Sequence, residues 1–500
     1  MLKQSVSLGG GCRGATRGRA AHTRCPSGFT ATGGRRDALT HSSLRSTTDR
    51  SIRTSIRRGR TRGPDCDATA ADNGGDRTQR CVETIEELHA ELPFSEEMWD
   101  LFMKQYWQKK PVVMRGAVKA GSSAFIEADE LAGLACEAEF QPRIIKKGEG
   151  GPADWALELG PFSENELRSL PSTGSWCLLL NDLEKHVPEA ADLLNLFDVF
   201  PRWRVADVQA SISANGGSVG AHSDQFDVFL YQAEGCKRWS ISDNTEYAPD
   251  NEKAFFAESE VRVLKKFDPK FCSVLEPGDI LYLPPKVAHH GIAEDCDAVC
   301  ITYSIGFLAP LHDDLTLSYA QYYIDNRDDA GRWTDPWLQP QRDVGRISPG
   351  AVTQAAEIIN SLTPKNEADI ARWFGCHVTA GQDCDFALIA PEEQLPAASL
   401  ITRWIEEGFL ARRAEIKFAF VQDVNDGSLE GCLLFAGGQA WALKSERGIE
   451  LARHIANHDD VDAGDWVGHA GMRGYESESE VEGLVSELYN SGFLTFHDDN

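Results

Sequence analysis

Apolar and polar positions fall into three regimes along the chain. In "SEEMWDLFMKQYWQKKPVVMRGAV" (Ser95–Val118), Trp99, Phe102, Met103, Tyr106 and Trp107 recur at helical spacing. Ser95, ahead of Glu96 and Glu97, suits an N-cap. Pro111 stops that helix, and "VVMRG" reads as a short strand. "DWALEL" (154–159) and "SWCLLL" (175–180) alternate or run apolar like further strands, and Pro188–Leu196 reads as helical. From Ala206 to Phe307 the pattern is short strands broken by Gly, Pro and Asn, which predicts an all-β barrel or sandwich. Beyond Pro310 it changes to amphipathic helices, "DDLTLSYAQYYIDN", "SPGAVTQAAEIINSL" and "PAASLITRWIEEGFLARR". The strands "AEIKFAFV" and "GCLLFAGGQAWAL" and a last helix-plus-strand, "VEGLVSELYNSGFLTF", follow. Boundaries fall near 83, 310 and 380, and no internal repeat is visible.

Charge changes this picture at the N-terminus. The chain of 500 residues carries a formal net charge of −27. Residues 1–63 nevertheless hold 14 Lys+Arg against only Asp37 and Asp49, leaving 36 basic and 75 acidic residues in 64–500. An Arg-, Ser- and Ala-rich, acid-poor stretch without an apolar core is the composition of an organellar transit peptide, mitochondrial or plastid. The alternatives are a plain disordered basic tail or the tail of a nuclear or nucleolar protein, and on any of these readings residues 1–63 are expected to be disordered. Residues 64–82, with "ADNGGD", read as a linker. No apolar run reaches the roughly 18 residues of a spanning helix, so no membrane partner is expected. The 13 cysteines are scattered without a CxxC pair, which points to free, packed thiols rather than a zinc site.

The candidate chemistry lies in the β region. "GAHSDQFDVFLYQAEGCKRW" (220–239) contains His222-x-Asp224. On a strand, residues two apart share a face, so an imidazole and a carboxylate would stand side by side. About 65 residues on, "EPGDILYLPPKVAHHG" supplies His289 and His290 just past a strand. Two His and one Asp are the facial triad that holds Fe(II) and leaves open positions for a co-substrate and O2. The adjacent histidines leave the register open by one, and the distance from "LPP" favours His289. A 2-oxoglutarate co-substrate needs a buried cation for its distal carboxylate. Lys237 and Arg238 are neighbours on a strand, so one points inward and the other out. Gln209, Ser211 and Ser213 recur with period two on the strand before His222, and Thr302 and Ser304 on the strand after His289. Such polar rows suit either a cavity for a polar co-substrate or a solvent face.

These motifs resemble the JmjC-type Fe(II)/2-oxoglutarate oxygenases of the cupin superfamily. The resemblance is to their ribosomal oxygenase branch, in particular the bacterial-type ribosomal-protein arginine hydroxylases. It rests on "YWQKKPVVMRG", "VGAHSDQFDVFLYQAEGCKRW", "EPGDILYLPP" with "AHHG", "YSIGFLAP" and "LVSELYNSGFLTF", spread over residues 83–500. It implies a double-stranded β-helix catalytic domain over 83–310, a helical dimerisation segment over 311–379 and an α+β winged-helix-like domain over 380–500. It also implies His222, Asp224 and His289 as metal ligands, Lys237 as the anchor of 2-oxoglutarate, and a homodimer; from the polar rows, Ser211 and Thr302 are read as lining the same co-substrate site. The expected activity is that of a dioxygenase hydroxylating an arginine or histidine of a basic ribosomal protein, with succinate and CO2 as co-products. The arginine hydroxylases resemble "GRRRW" where this chain reads "GCKRW", closer to the histidine hydroxylases of the branch, which leaves both residues open as substrate. From Thr379 onward 8 Lys+Arg stand against 23 Asp+Glu, the wrong sign for a phosphate footprint, so no nucleic acid is expected there. Competing readings are a JmjC histone demethylase and a non-catalytic cupin binding module.

Overall fold

The structure, a computed structural model, describes residues 83–119, 126–294, 299–327, 331–364, 366–380, 391, 394–467 and 475–496. The basic leader (1–63) and linker (64–82) lie outside these. Ser95 caps the first helix, α1 (Glu96–Gln105), its hydroxyl accepting from the Met98 amide at 3.4 Å. The strands that follow are β1 (Val112–Met114), β2 (Arg143–Lys147), β3 (Trp155–Leu159), β4 (Trp176–Leu180), β5 (Val205–Ser213) and β6 (Asp227–Glu234). After them come β7 (Cys236–Ser242), β8 (Phe271–Leu275), β9 (Ile280–Leu283), β10 (Ala288–Glu294) and β11 (Cys300–Phe307). They form two sheets. The larger runs β1-β9-β6-β11-β5-β4-β2-β3, with the two-residue strand Glu87–Leu88 outside β1. The smaller runs β8-β7-β10, with Glu83–Thr84 outside β8.

Period-two alternation assigns each strand two faces. In β6, Val228 and Leu230 meet Trp239, Ile241 and Leu275 of the smaller sheet. The intervening Phe229 and Tyr231 turn outward and pack with Phe102 of α1, Tyr282 and Phe307. A strand buried on both sides needs no polar face, so "VFLY" (228–231) reads as an unbroken apolar run.

The sequence expectation of a strand at His222-x-Asp224 is corrected. Only His222 makes a ladder contact, an isolated antiparallel bridge with His289, and the rest is loop. Gly220 has φ +86°, and a Cβ there would meet Val263 at 2.4 Å, so the chain bends into the site instead of extending through it. His289 and His290 do follow a strand, β9, and themselves lie at the start of the next one, β10. The thiol expectation is also corrected in part: Cys136, Cys177, Cys300, Cys376 and Cys432 are free, but Cys272 is disulfide-bonded.

After β11 come α2 (His312–Asp325) and α3 (Pro349–Asn360), neither with a buried residue. Then α4 (Glu367–Thr379), α5 (Ala397–Glu407), β12 (Phe409–Arg412), β13 (Phe418–Val421), the hairpin β14 (Cys432–Ala436) and β15 (Gln439–Leu443), α6 (Glu446–Asn457) and α7 (Tyr475–Asn490) build a second core. The boundary read near 380 follows α4, yet α4 packs on β14: a Cβ on Gly375 would meet the Phe435 ring at 2.3 Å. Lys417 of this C-terminal part donates to the Val205 carbonyl at the start of β5 at 2.6 Å, and Trp203 meets Phe374 edge-on at 5.4 Å. Among the described residues no helix is long and apolar enough to cross a membrane.

Candidate active site

The loop carrying His222 and Asp224 and the first turn of β10 close on each other through two backbone hydrogen bonds. The His222 amide donates to the His289 carbonyl at 3.0 Å and the His289 amide to the His222 carbonyl at 2.8 Å. The Asp224 carbonyl accepts from the Lys286 amide at 2.7 Å, fixing the loop's far end. These contacts bring ligand atoms of His222, Asp224 and His289 within 4.8 Å of one another, all three residues buried. His290 points to the opposite face of β10, where its Nε2 lies 3.0 Å from the Ser218 hydroxyl. The strand's alternation therefore selects His289 for the cluster.

The donor set fits a cation. The Nδ1 of His222 lies 2.8 Å from the Gly220 carbonyl and that of His289 lies 3.1 Å from the Val287 carbonyl. A carbonyl only accepts, so both Nδ1 atoms carry the proton and both Nε2 lone pairs are free, the arrangement that orients a ligating imidazole. Those Nε2 atoms lie 4.0 and 3.5 Å from Asp224 Oδ2. Burial, with His289 adding to it, holds the His222 ring well below the usual imidazole range and so neutral. Burial also pushes the Asp224 carboxyl up, the mark of a carboxylate lacking its full counter-charge. Two imidazoles and one carboxylate on the inner wall are the ligand types of non-haem Fe(II).

Lys237 lies on the same inner face. On β7–β10 the pairs Lys237↔Ala293 and Ile241↔His289 place it four residues from the histidine. Gly291, between those positions, leaves room for the Trp239 ring, which a Cβ would meet at 2.7 Å. Lys237 is 5% exposed, and its Nζ lies 3.4 Å from both the Ser211 and Thr302 hydroxyls. Ser211 and Thr302 are register partners on β5 and β11. Thr302 Oγ1 donates to Gln232 Oε1 at 3.1 Å. Among the described residues no carboxylate ion-pairs with Lys237, so its head is buried against two hydroxyls and the face of the Trp239 ring. Arg238 points outward to Glu294, 2.6 Å from it. The structure thus gathers His222, Asp224 and His289 in one cluster and sets Lys237, with Ser211 and Thr302 around it, on the same inner face.

Sequence reading missed several cleft residues. The polar row on β5 extends one step further than Gln209, to Asp207, and its partner on β11 is Ser304 opposite Gln209. This face of β5 is half-buried while Val208, Ala210 and Ile212 are fully packed behind it. Asp207 lies against Gly306, where a Cβ would meet Asp207 Oδ1 at 3.3 Å and Phe226 at 3.5 Å. Its carboxyl is pushed up to about 6 by burial, with Asp182 adding to it and Arg143 opposing. Period two carried the signal for Asp207. Asn181, just past the end of β4, and Arg143, on β2, carried none.

Glu184 behind β5 accepts from the Val208 amide at 2.8 Å, and burial pushes its carboxyl up to about 7. A raised acid means that the folded state binds the extra proton, so stability falls as pH rises from about 4.5 to about 7. Glu184→Gln is expected to melt higher than the parent protein at about pH 8 and no higher at about pH 4.5. Melting curves at the two pH values check this.

The comparisons agree with this geometry. The chain matches the JmjC domain family over residues 192–315 and the ROXA-like winged helix over 357–495. It is 33% identical over 281 residues to the ribosomal protein uL16 3-hydroxylase of Escherichia coli, covering 55% of this chain and 70% of that protein. It is 34% identical over 215 residues to a probable ribosomal oxygenase of Haemophilus influenzae, covering 42% of this chain and 50% of that protein. The solved structure of YcfD, a ribosomal oxygenase from E. coli in complex with cobalt and 2-oxoglutarate, superposes with a TM-score of 0.64 at 26% identity, over 81% of this chain and 99% of that one.

Proposed function

From its membership of the JmjC ribosomal oxygenase family, to which this chain belongs, we propose that it hydroxylates an arginine side chain of the ribosomal protein uL16. The chain is an Fe(II)- and 2-oxoglutarate-dependent oxygenase. The single observation that favours arginine is Asp207, a half-buried carboxylate without a hydrogen-bond partner among the described residues, on the cleft face of β5. A permanently charged guanidinium supplies the hydrogen-bond donors that this carboxylate lacks, the Arg143 charge acting on it only from a distance.

Iron with 2-oxoglutarate and O2 supplies the oxidising power that places one oxygen atom into a C–H bond, the other going into succinate as CO2 leaves. His222, Asp224 and His289 are the residues proposed to hold the metal. Lys237, flanked by Ser211 and Thr302, is proposed to hold the distal carboxylate of 2-oxoglutarate by a charge-assisted contact. Trp239, whose ring lies beside the Lys237 ammonium, and Leu275, that lysine's buried register partner on β8, keep water from that end. Asp207, on the same strand face, would hold the charged head of the incoming side chain and so orient it. The acidic body steers a basic ribosomal protein to this mouth.

Incubating the full chain with Fe(II), 2-oxoglutarate and uL16, followed by peptide mass spectrometry, tests the reading. One added oxygen on one arginine, absent without 2-oxoglutarate, is expected. Modification of a histidine, or of none of the uL16 residues, would sink the arginine assignment.

The dimer is part of the same proposal. Leu317 and Ile324 on α2, and Val352 and Ile359 on α3, are each seven residues apart and so share one helix face. They are 70%, 47%, 59% and 64% exposed in the single protomer. The wild-type chain is expected to run as a dimer in size-exclusion chromatography with light scattering, and Leu317→Glu/Ile324→Glu as a monomer. An organellar address is proposed from the arginine-rich composition of residues 1–63. Imaging of the full chain tagged at its C-terminus checks it, and a nucleolar signal would replace it.

A further inference from the structure

Beyond Lys237 the cleft carries a second buried cation that the proposed reaction does not use. Arg143 on β2 is 4% exposed, and its Nη2 donates to Asn181 Oδ1 at 3.0 Å. The register Arg143↔Leu179 and Leu179↔Ser211 puts it on the inner face, two strands from the row that contacts Lys237. Its Nε has no hydrogen-bond partner among the described residues. A buried guanidinium left partly unpaired is costly, and this one is held where it meets a single amide oxygen.

That contact has a directional consequence. Arginine only donates, so Asn181 must present its oxygen to Arg143 and cannot flip. The same oxygen accepts from Gln209 Nε2 at 2.7 Å. Gln209 must therefore present its amino group to Asn181, and its carbonyl oxygen Oε1 is turned away. That oxygen has no partner among the described residues and is not among the buried unpaired atoms, so it is open to the cleft. Gln209 is two residues from Asp207 on the same strand face, a spacing of about 6.5 Å along a strand. One ionised and one neutral acceptor at that spacing suit a planar cation gripped from two edges. A neutral imidazole, with one N–H donor, satisfies only one of them.

We propose that Arg143 and Asn181 are positioning residues that lock the Gln209 amide, so that Gln209 Oε1 and Asp207 together form the acceptor pair selecting a guanidinium over an imidazole. The proposal rests on the reading that Asp207 receives the substrate side chain. Gln209 is the specificity-determining contact. Asn181 and Arg143 act only through it.

The test uses the full chain and a uL16 peptide carrying the modified arginine, together with the same peptide bearing histidine at that position. Peptide Kd is measured by calorimetry, and kcat and KM by succinate release. Gln209→Met is expected to weaken the arginine peptide about tenfold in both Kd and KM. The KM for 2-oxoglutarate should stay within about twofold, and the preference for arginine over histidine should fall by the same roughly tenfold factor. Asn181→Leu is expected to reproduce this loss, and the double variant to add nothing, because both changes remove one contact. Arg143→Lys, which keeps a donor and charge, should retain part of the affinity, and melting curves of every variant guard against misfolding. Unchanged arginine-peptide binding in Gln209→Met, or additive losses in the double variant, overturns the proposal. Asp207→Asn separates the two failures. If it weakens the arginine peptide while Gln209→Met does not, only the amide relay is wrong. If neither variant weakens it, the placement of the substrate at Asp207 falls and takes the relay with it.

Discussion

His222→Ala and Asp224→Ala are each expected to abolish hydroxylation, with a loss well beyond about 100-fold. Altering the partners around metal ligands already costs roughly 10–100-fold, and these variants remove the ligands themselves. The two residues differ in what else they do. His222 is held by its ring contact to Gly220 and by the backbone bridge to His289. The bridge uses main-chain atoms and survives the substitution, so the loop keeps its path. Asp224 is a buried carboxylate whose burial raises its pKa, so in the metal-free protein it opposes folding rather than assisting it. Asp224→Asn is therefore expected to melt no lower than the parent without metal, and to lose the stabilisation that Fe(II) or a surrogate divalent ion confers. At a metal concentration 100 times its Kd that stabilisation is about 2.7 kcal/mol. Thermal melts with and without metal, beside the succinate assay, decide it. Full turnover by either alanine variant at saturating iron would remove these residues from the metal site.

Lys237→Met is expected to raise the KM for 2-oxoglutarate at least about 30-fold while leaving iron affinity nearly unchanged. Truncating one partner of a buried, hydrogen-bonded charge pair costs roughly 2–5 kcal/mol, and each 1.4 kcal/mol is about tenfold. In the free protein the ammonium has only the Ser211 and Thr302 hydroxyls at 3.4 Å and the face of Trp239, with the ring centroid 5.3 Å away. None of these offsets a full charge. The co-substrate carboxylate is the counter-ion that the pocket lacks, and losing the lysine should leave the protein folded. Lys237→Arg is expected to recover part of the affinity, because the charge is kept while the shape of the head changes. Titrations of 2-oxoglutarate and iron on the same preparations separate the effects. An equal loss of both would mean a collapsed pocket or the wrong anchor.

Much of the site was legible because its chemistry follows strand alternation, which is written in the order of residues. Lys237 and Arg238 had to face opposite ways, and the structure puts Lys237 inside and Arg238 on Glu294. The polar rows on β5 and β11 had to share a face once those strands paired, and Ser211 and Thr302 do. Two histidines in succession had to diverge, and His290 turns away to Ser218. The all-β region, the helices after it and the polarity of each strand face were determined by local periodicity in the same way.

Tertiary structure decided what periodicity does not contain. His222 and Asp224 converge on His289 from a loop bent by Gly220, because a bridge to a strand nearly 70 residues away holds them there. No local pattern encodes that pairing. Asn181 and Arg143 joined the cleft only through the lateral order β5-β4-β2, which long-range hydrogen bonding sets. The burial that makes Asp207 an unsatisfied acceptor and Lys237 an unsatisfied cation is likewise a property of the closed pair of sheets. The sequence by itself determined which side chains each strand offers to which face, because a strand's geometry repeats every two residues. Only the assembled sheets decided which of those side chains meet, because their partners come from strands distant along the chain.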